Sequence, residues 1–514
     1  MTINSFDLYL ANRIQEKERI SIDELSAKTE RSTATIRRSI QSLNEFLAPA
    51  ERFLIMESTV ISQLSYQKFI HFIQSLQLTD FATSVEERLE LVIVSSVLKD
   101  YTNLSQIYEQ LLISQSTKKR DRAFFLEELT QKELKLESSP GKGIRVTGDE
   151  LRLRIVAAQI INKVVEISNE MTIVPRKANS PLQNLIFQQA TELFDLQHLE
   201  ELIHFLKANN LIFNYTGKKF LYLYVLLSYL RISQQNQITT IPKMPAPPPQ
   251  VNFFSSDTEN FSFSCLLASL DNNGTLLSIG SEQIHSYSNQ LIDFVEHRII
   301  TDFYTRDTLQ QAIEQYLSKC LFRVALGFDF YDNKLEDVKN EFSFLYQLVA
   351  YFYETTPIEH LQLDTYQVGT LTLLFREHVL KNKIAGRNRK KIVLVTNSAK
   401  EKSDFFAEQL TYYFDAEVLS YLDIQELNQL ETLSFDNLIT FSNRLSSILD
   451  ERGYPNVKLN YYFHDEDIQY LIKLNFSLNS HRKLVAEEFC SELEKLPSHQ
   501  VVHYLKVNYP NFFV

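Results

Sequence analysis

Apolar positions recur at helical spacing along most of this chain, and its first 150 residues carry one pattern twice. An amphipathic run (6–17) leads into a short run (22–28), a polar turn, a third run (33–47) and a strand-like tail (53–61). The order returns at 86–99, 104–111 and 115–132, and residues 134–147 then alternate around Pro140-Gly141-Lys142-Gly143 as a hairpin. In the first copy Ile22, Leu25, Ile36, Ile40, Leu43 and Leu47 form one stripe, while Thr35, Arg37, Arg38 and Gln41 fall off it. Ser21 with Glu24 predicts a capping box at the second helix, and Ser32 or Thr33 a cap for the third. The second copy is less regular. Starting its third helix at residues 114–117 puts Lys118 and Arg122 where apolar side chains pack. Either their stems cover the core or the register slips by one; Phe124, Phe125 and Leu129 supply an apolar face.

Two winged helix-turn-helix units follow, at 1–63 and, with a connector helix at 64–81, at 64–150. Helices are predicted at 151–165, 182–195, 199–208 and 220–231, and the Pro-rich stretch 241–249 reads as an exposed loop or linker. A further helical block covers 286–300, 308–322, 335–352 and 366–382. After the basic run 387–391, strands at 392–395, 416–419, 437–441 and 457–463 alternate with helices at 403–414 and 424–429. That alternation argues a small parallel α/β domain closed by a helix at 482–496. The expected fold class is mainly α and multidomain.

Composition bears this out: 514 residues hold only 10 glycines and 13 prolines, and the chain exceeds what one core supports. Cys265, Cys320 and Cys490 have neither metal spacing nor even pairing, which suits a reducing cytoplasm. There is no leader-like or membrane-length apolar run, so the expected location is cytoplasmic. No Gly-rich phosphate loop, catalytic triad or metal cluster is present, so neither enzyme activity nor a cofactor is expected. His464-Asp465-Glu466-Asp467 reads as capping at a helix start.

The net charge of −12 matters because nucleic-acid binders are expected to be basic. Residues 1–150 carry 19 Lys/Arg against 22 Asp/Glu, so their positive charge is local only. It gathers at Lys28, Arg31, Arg37 and Arg38, again at Lys118, Lys119, Arg120 and Arg122, and on the hairpin at Lys142 and Arg145. Phosphate neutralised at the interface sets affinity, so local clusters suffice for a salt-sensitive binder. A lone Arg-Arg pair would read as a solvated face; two clusters, each opening a third helix, point to double-stranded DNA. The candidate contacts are Arg31, Thr33, Thr35, Arg37 and Arg38 in the first unit. In the second they are Ser116, Lys118, Lys119, Arg120 and Arg122, with Lys142 and Arg145 for backbone phosphate.

This order of parts resembles the Mga/AtxA-like virulence regulators of Gram-positive bacteria. The resemblance rests on Arg323, Asn333-Lys-Leu-Glu-Asp-Val-Lys339 and Phe344-Leu-Tyr346, and on Gly143-Ile-Arg-Val-Thr-Gly148 followed by Glu150 and Arg152. It implies two phosphotransferase-system regulation domains (PRDs) at 151–283 and 284–386, and an end at 387–514 similar to a sugar-phosphotransferase IIB component. It also implies a homodimer on promoter DNA, phosphotransferase carriers as partners, and activation as the expected sign, with no residue against repression. The usual PRD histidine positions hold Tyr224 and Tyr316, neither able to form a phosphoramidate. Near the later PRD histidine position stands Leu374, with His378 one turn on; His198 and His204 remain in the first block. His204 and His378 are the candidate phosphorylation sites. Asn397-Ser398 stands where true IIB transferases carry cysteine, which opposes the rival reading of a phosphocarrier component. A second rival, a PRD-bearing RNA antiterminator, would begin with a β-rich module rather than helical repeats.

Overall fold

The computed structural model describes residues 2–244, 246–272, 282–299, 303, 305–330, 332–381, 390–474, 476, 478–479 and 486–508. The first three residues of the basic 387–391 run and the start of the helix expected over 482–496 lie outside the described residues. Two compact units form, one of residues 1–243, 248–267 and 326–328, the other of 244–247, 268–325 and 329–514.

The first unit opens with β1 (Ile3–Asn4), α1 (Ser5–Lys17), β2 (Arg19–Ser21), α2 (Ile22–Thr29) and α3 (Thr33–Phe46), then the wing strands β3 (Leu54–Met56) and β4 (Thr59–Ile61). The expected stripe is the core: Ile22, Leu25, Ile36, Ile40, Leu43 and Leu47 are all buried. The strand β2 joins the wing unexpectedly, giving an antiparallel sheet of order β2-β4-β3. Ser21 Oγ accepts from Glu24 N at 3.0 Å, but the expected box is only half made, because the Glu24 carboxylate pairs with Lys28 at 3.2 Å. The connector is shorter than expected: α4 (Tyr66–Ser75) gives way to a 3-10 turn and to β5 (Phe81–Ala82), which pairs parallel with β1.

The second copy comprises α5 (Val85–Lys99), α6 (Leu104–Gln110), α7 (Gln115–Gln131) and the hairpin β6 (Leu134–Ser139) with β7 (Gly143–Gly148). Backbone punctuation repeats with it. One interval separates Glu18 from Asp100, Glu30 from Leu112 and the caps Ser32 and Ser114, and the first two pairs all have positive φ. Gly143 is required on two grounds: its φ is +108°, and a Cβ there would meet the Thr102 carbonyl oxygen at 2.4 Å. That approach is the bridge from Thr102 to Ile144, which stands where the first copy pairs β2 with β4.

Beyond the hairpin run α8 (Glu150–Val164), the short hairpin β8 (Val165–Ile167) with β9 (Ile173–Pro175), α9 (Pro181–Leu193), α10 (Gln197–Ala208), α11 (Tyr215–Ser233) and α12 (Asp257–Ser269). Sequence reading missed α12. Its Phe263, Cys265, Leu266 and Leu267 are fully buried along with Ser262 and Ser264, so no polar face marks a period.

The second unit contains α13 (Glu282–Ile299), α14 (Arg306–Leu326), α15 (Val338–Glu341), α16 (Ser343–Thr355) and α17 (Thr365–Lys381). The continuous helix expected over 335–352 is broken at Phe342, with φ −124° and ψ 46°. Its ring leaves the helical path to pack edge-on against Phe405 and Tyr462, centroids 5.4 and 5.9 Å away. Then follow β10 (Lys390–Val395), α18 (Lys400–Tyr413), β11 (Ala416–Leu422), β12 (Asn437–Thr440), α19 (Asn443–Glu451), β13 (Val457–Lys458), α20 (Asp465–Lys473), α21 (Ala486–Glu494) and α22 (Ser498–Asn508). The parallel sheet is as expected, in order β11-β10-β12-β13. Two elements differ: 424–429 gives only a 3-10 turn at Leu427–Thr432, and the last strand stops after two residues. One apolar core runs from Ile284 on α13 through Phe375 on α17 to Phe405 and Phe406 on α18, so helices and sheet of this unit are packed together.

Candidate nucleic-acid interface

The third helices α3 and α7 start alike. Ser32 Oγ accepts from Thr35 N at 3.2 Å, and Ser114 Oγ accepts from Thr117 N at 3.3 Å. A side-chain cap of this kind fixes the first turn, and the next N–H groups, of Ile36 and Lys118, bond the Ser32 and Ser114 carbonyls at 3.1 Å, so the positive end of the helix dipole lies at that first turn. Aligning the two caps sets Arg37 and Arg38 against Lys119 and Arg120, and all four are exposed. Arg38 Nε reaches the Ala34 carbonyl at 3.4 Å, and Arg31 lies 5.7 Å over the Phe6 ring. Thr33 and Ser116 are exposed on the first turns, whereas Thr35 is half-buried with its hydroxyl 2.9 Å from Ser32 Oγ.

The register of α7 does not slip. Asp121, Phe125 and Leu129 form its buried stripe, where the first copy has Ser39, Leu43 and Leu47. Lys118 replaces Ile36 and is half-buried, its ammonium on Ser105 Oγ of α6, so it braces two helices. Arg122 is exposed, not packed in the core, and donates to Ser138 Oγ of the wing at 3.2 Å.

Asp121 had no place in the expected interface, yet it holds this unit together. Arg88 of α5 and Tyr108 of α6 both donate to its Oδ2 at 2.6 Å, closing a buried knot across three helices. Burial alone would raise the Asp121 carboxyl; the bonds from Arg88 and Tyr108 outweigh it and hold the group below its ordinary range. The only hint in sequence is its spacing, four residues before Phe125 and eight before Leu129.

The wings differ chemically. The first exposes Leu54, Ile55 and Met56 and carries no Lys or Arg on its hairpin strands β3 and β4. In the second, Lys142 is exposed, and Lys142 and Arg145 lie 5.2 and 5.5 Å from the Tyr101 ring centroid. Arg145 also pairs with Asp100 at 3.4 Å and Glu137 at 3.8 Å. Asp100 and Tyr101, just past the end of α5, are thus the residues that organise this wing.

The two candidate histidines sit differently. His204 is exposed on α10. His378 is 2% exposed on α17, its Nδ1 2.6 Å from Thr305 Oγ1, and burial pushes its pKa down to about 3. His198, weighed beside them, stacks flat on Tyr229 at 3.5 Å. Among the described residues no His/Cys/Asp/Glu group could hold a metal ion, and no helix is long and apolar enough to cross a membrane.

A comparison with curated proteins found no match. Residues 73–160 match the family model of the Mga helix-turn-helix domain, a span that begins in α4, takes in the whole second copy from α5 to β7 and ends within α8. With its capped third helix and basic wing, this segment is similar to the Mga helix-turn-helix domain, and that match supports a Mga-like regulator that binds DNA.

Proposed function

We propose that the chain regulates promoters by seating α3 and α7 in successive major grooves of duplex DNA. The observation that carries this is the exposed cation pair behind an identical serine cap in each copy, Arg37-Arg38 and Lys119-Arg120. Arg31, Thr33, Thr35 and Ser116 line the same two helix starts, Arg122 lies two turns into α7 beside the wing, and Lys142 meets backbone phosphate. Lys118 and Arg145 act mainly by holding α7 and the wing in place, given their internal partners.

Residues 151–283 and 284–386 serve in this reading as PRD-like regulatory blocks, with 387–514 as a IIB-like end supporting a homodimer and activation as the output. His204 is the preferred phosphoacceptor because it is exposed, whereas a phosphate on His378 would require α17 to open. Phosphorylation adds about −1.5 to −2 charge, enough to re-pair a helical interface and alter the spacing of the DNA-reading units. Titrating the full chain with promoter duplex and with hairpin RNA tests the reading. Duplex DNA should bind, with log affinity falling steeply as log salt rises; preference for the RNA hairpin would refute it.

A further inference from the structure

We propose that a cleft at the root of the second wing binds a small zwitterionic solute, an α-amino acid by chemical class. The cleft has a volume of about 510 Å³ and lies wholly in the first unit, between the end of β7, the start of α8, the end of α11 and residues 235–240. That is within the range of small-molecule sites. Its walls carry both signs, Arg145 and Arg231 against Asp149 and Glu150.

Two of these charges are already committed. Arg231 donates from Nε and a terminal nitrogen to the two oxygens of Glu150, each at 2.9 Å. Arg154 adds a third bond to Glu150 at 2.9 Å and grips Glu259 at 2.7 and 3.0 Å. Arg145 is the more loosely held cation: it is 31% exposed, and its partners Asp100 and Glu137 stand at 3.4 and 3.8 Å, long for charged pairs. Asp149 is the underused anion, exposed at the start of α8, with one oxygen accepting from Arg152 N at 2.9 Å. A ligand carboxylate on Arg145 and an ammonium on Asp149 would complete both. Gln237, Thr239 and Thr240 offer hydrogen bonds, and Val146, Leu153 and Ile232 offer an apolar strip for a side chain.

The same walls select against other ligands. A phosphorylated solute brings no cation to meet Asp149 and sets its second negative charge beside Asp149 and Glu150. No aromatic ring is among the lining residues, so the apolar face of a sugar has no platform. A carboxylate drawing Arg145 from Asp100 would also shift the Lys142–Tyr101–Arg145 stack at the wing. That consequence rests on the DNA-binding reading; the binding itself does not.

The test is calorimetric titration of the full chain, without DNA, by the common L-amino acids one at a time to about 10 mM. D-glucose and glucose 6-phosphate run in parallel. Asp149→Asn keeps the helix cap and removes the charge, and Thr240→Trp fills the cleft from an exposed position. At least one amino acid should bind, and each variant should weaken it about tenfold or more. No amino-acid binding, binding that survives both substitutions, or binding of the sugars alone overturns the proposal.

Discussion

Arg37 is exposed and makes no ion pair among the described residues, so its removal changes little inside the protein. Arg37→Ala should therefore leave the thermal midpoint unmoved while weakening promoter binding by about 1–3 kcal/mol, if the guanidinium meets a guanine edge. Lys142→Ala should weaken all duplexes alike and reduce the salt slope by about one. Asp121→Ala is the opposite case: it strands the Arg88 guanidinium in the core and should destabilise the protein by about 3–5 kcal/mol in urea titration. The exposed cations were legible in sequence because they fall off an apolar stripe. Asp121 was not, because a buried carboxylate is explained only by partners 33 and 13 residues away.

At the scale of elements, α5 carries a titratable cost. Burial pushes Glu87 up to about 7 although Ser84 N donates to it at 2.8 Å in a capping box. A carboxyl raised on folding keeps its proton in the native state and loses it when unfolded, so stability falls as pH climbs from 4.5 to about 7. Glu87→Gln should flatten that decline and raise the thermal midpoint above pH 7; an unchanged pH profile would contradict it. The helices of the two repeats were readable because each has one apolar face and a cap. The break at Phe342 and the whole of α12 were hidden, since both are decided by tertiary packing around aromatic and all-round buried residues. Exposure also separates the histidines. If a phosphotransferase carrier modifies the chain, His204→Ala should abolish the label on native protein and His378→Ala should not.

For the whole molecule, parallel strands alternating with helices announced the α/β part. Nothing in local sequence announced that its core is continuous with helices α13–α17, because a shared core depends on which faces meet. An acidic body with local basic heads implies binding governed by the heads, with net charge opposing loose, non-specific attachment. The most direct test of the central claim is promoter occupancy across the genome with wild-type chain and with Arg37→Glu/Arg38→Glu, expressed to equal levels. The account predicts discrete promoter peaks that vanish in the charge-reversed chain while the protein stays folded. Unaltered peaks in that variant would contradict it.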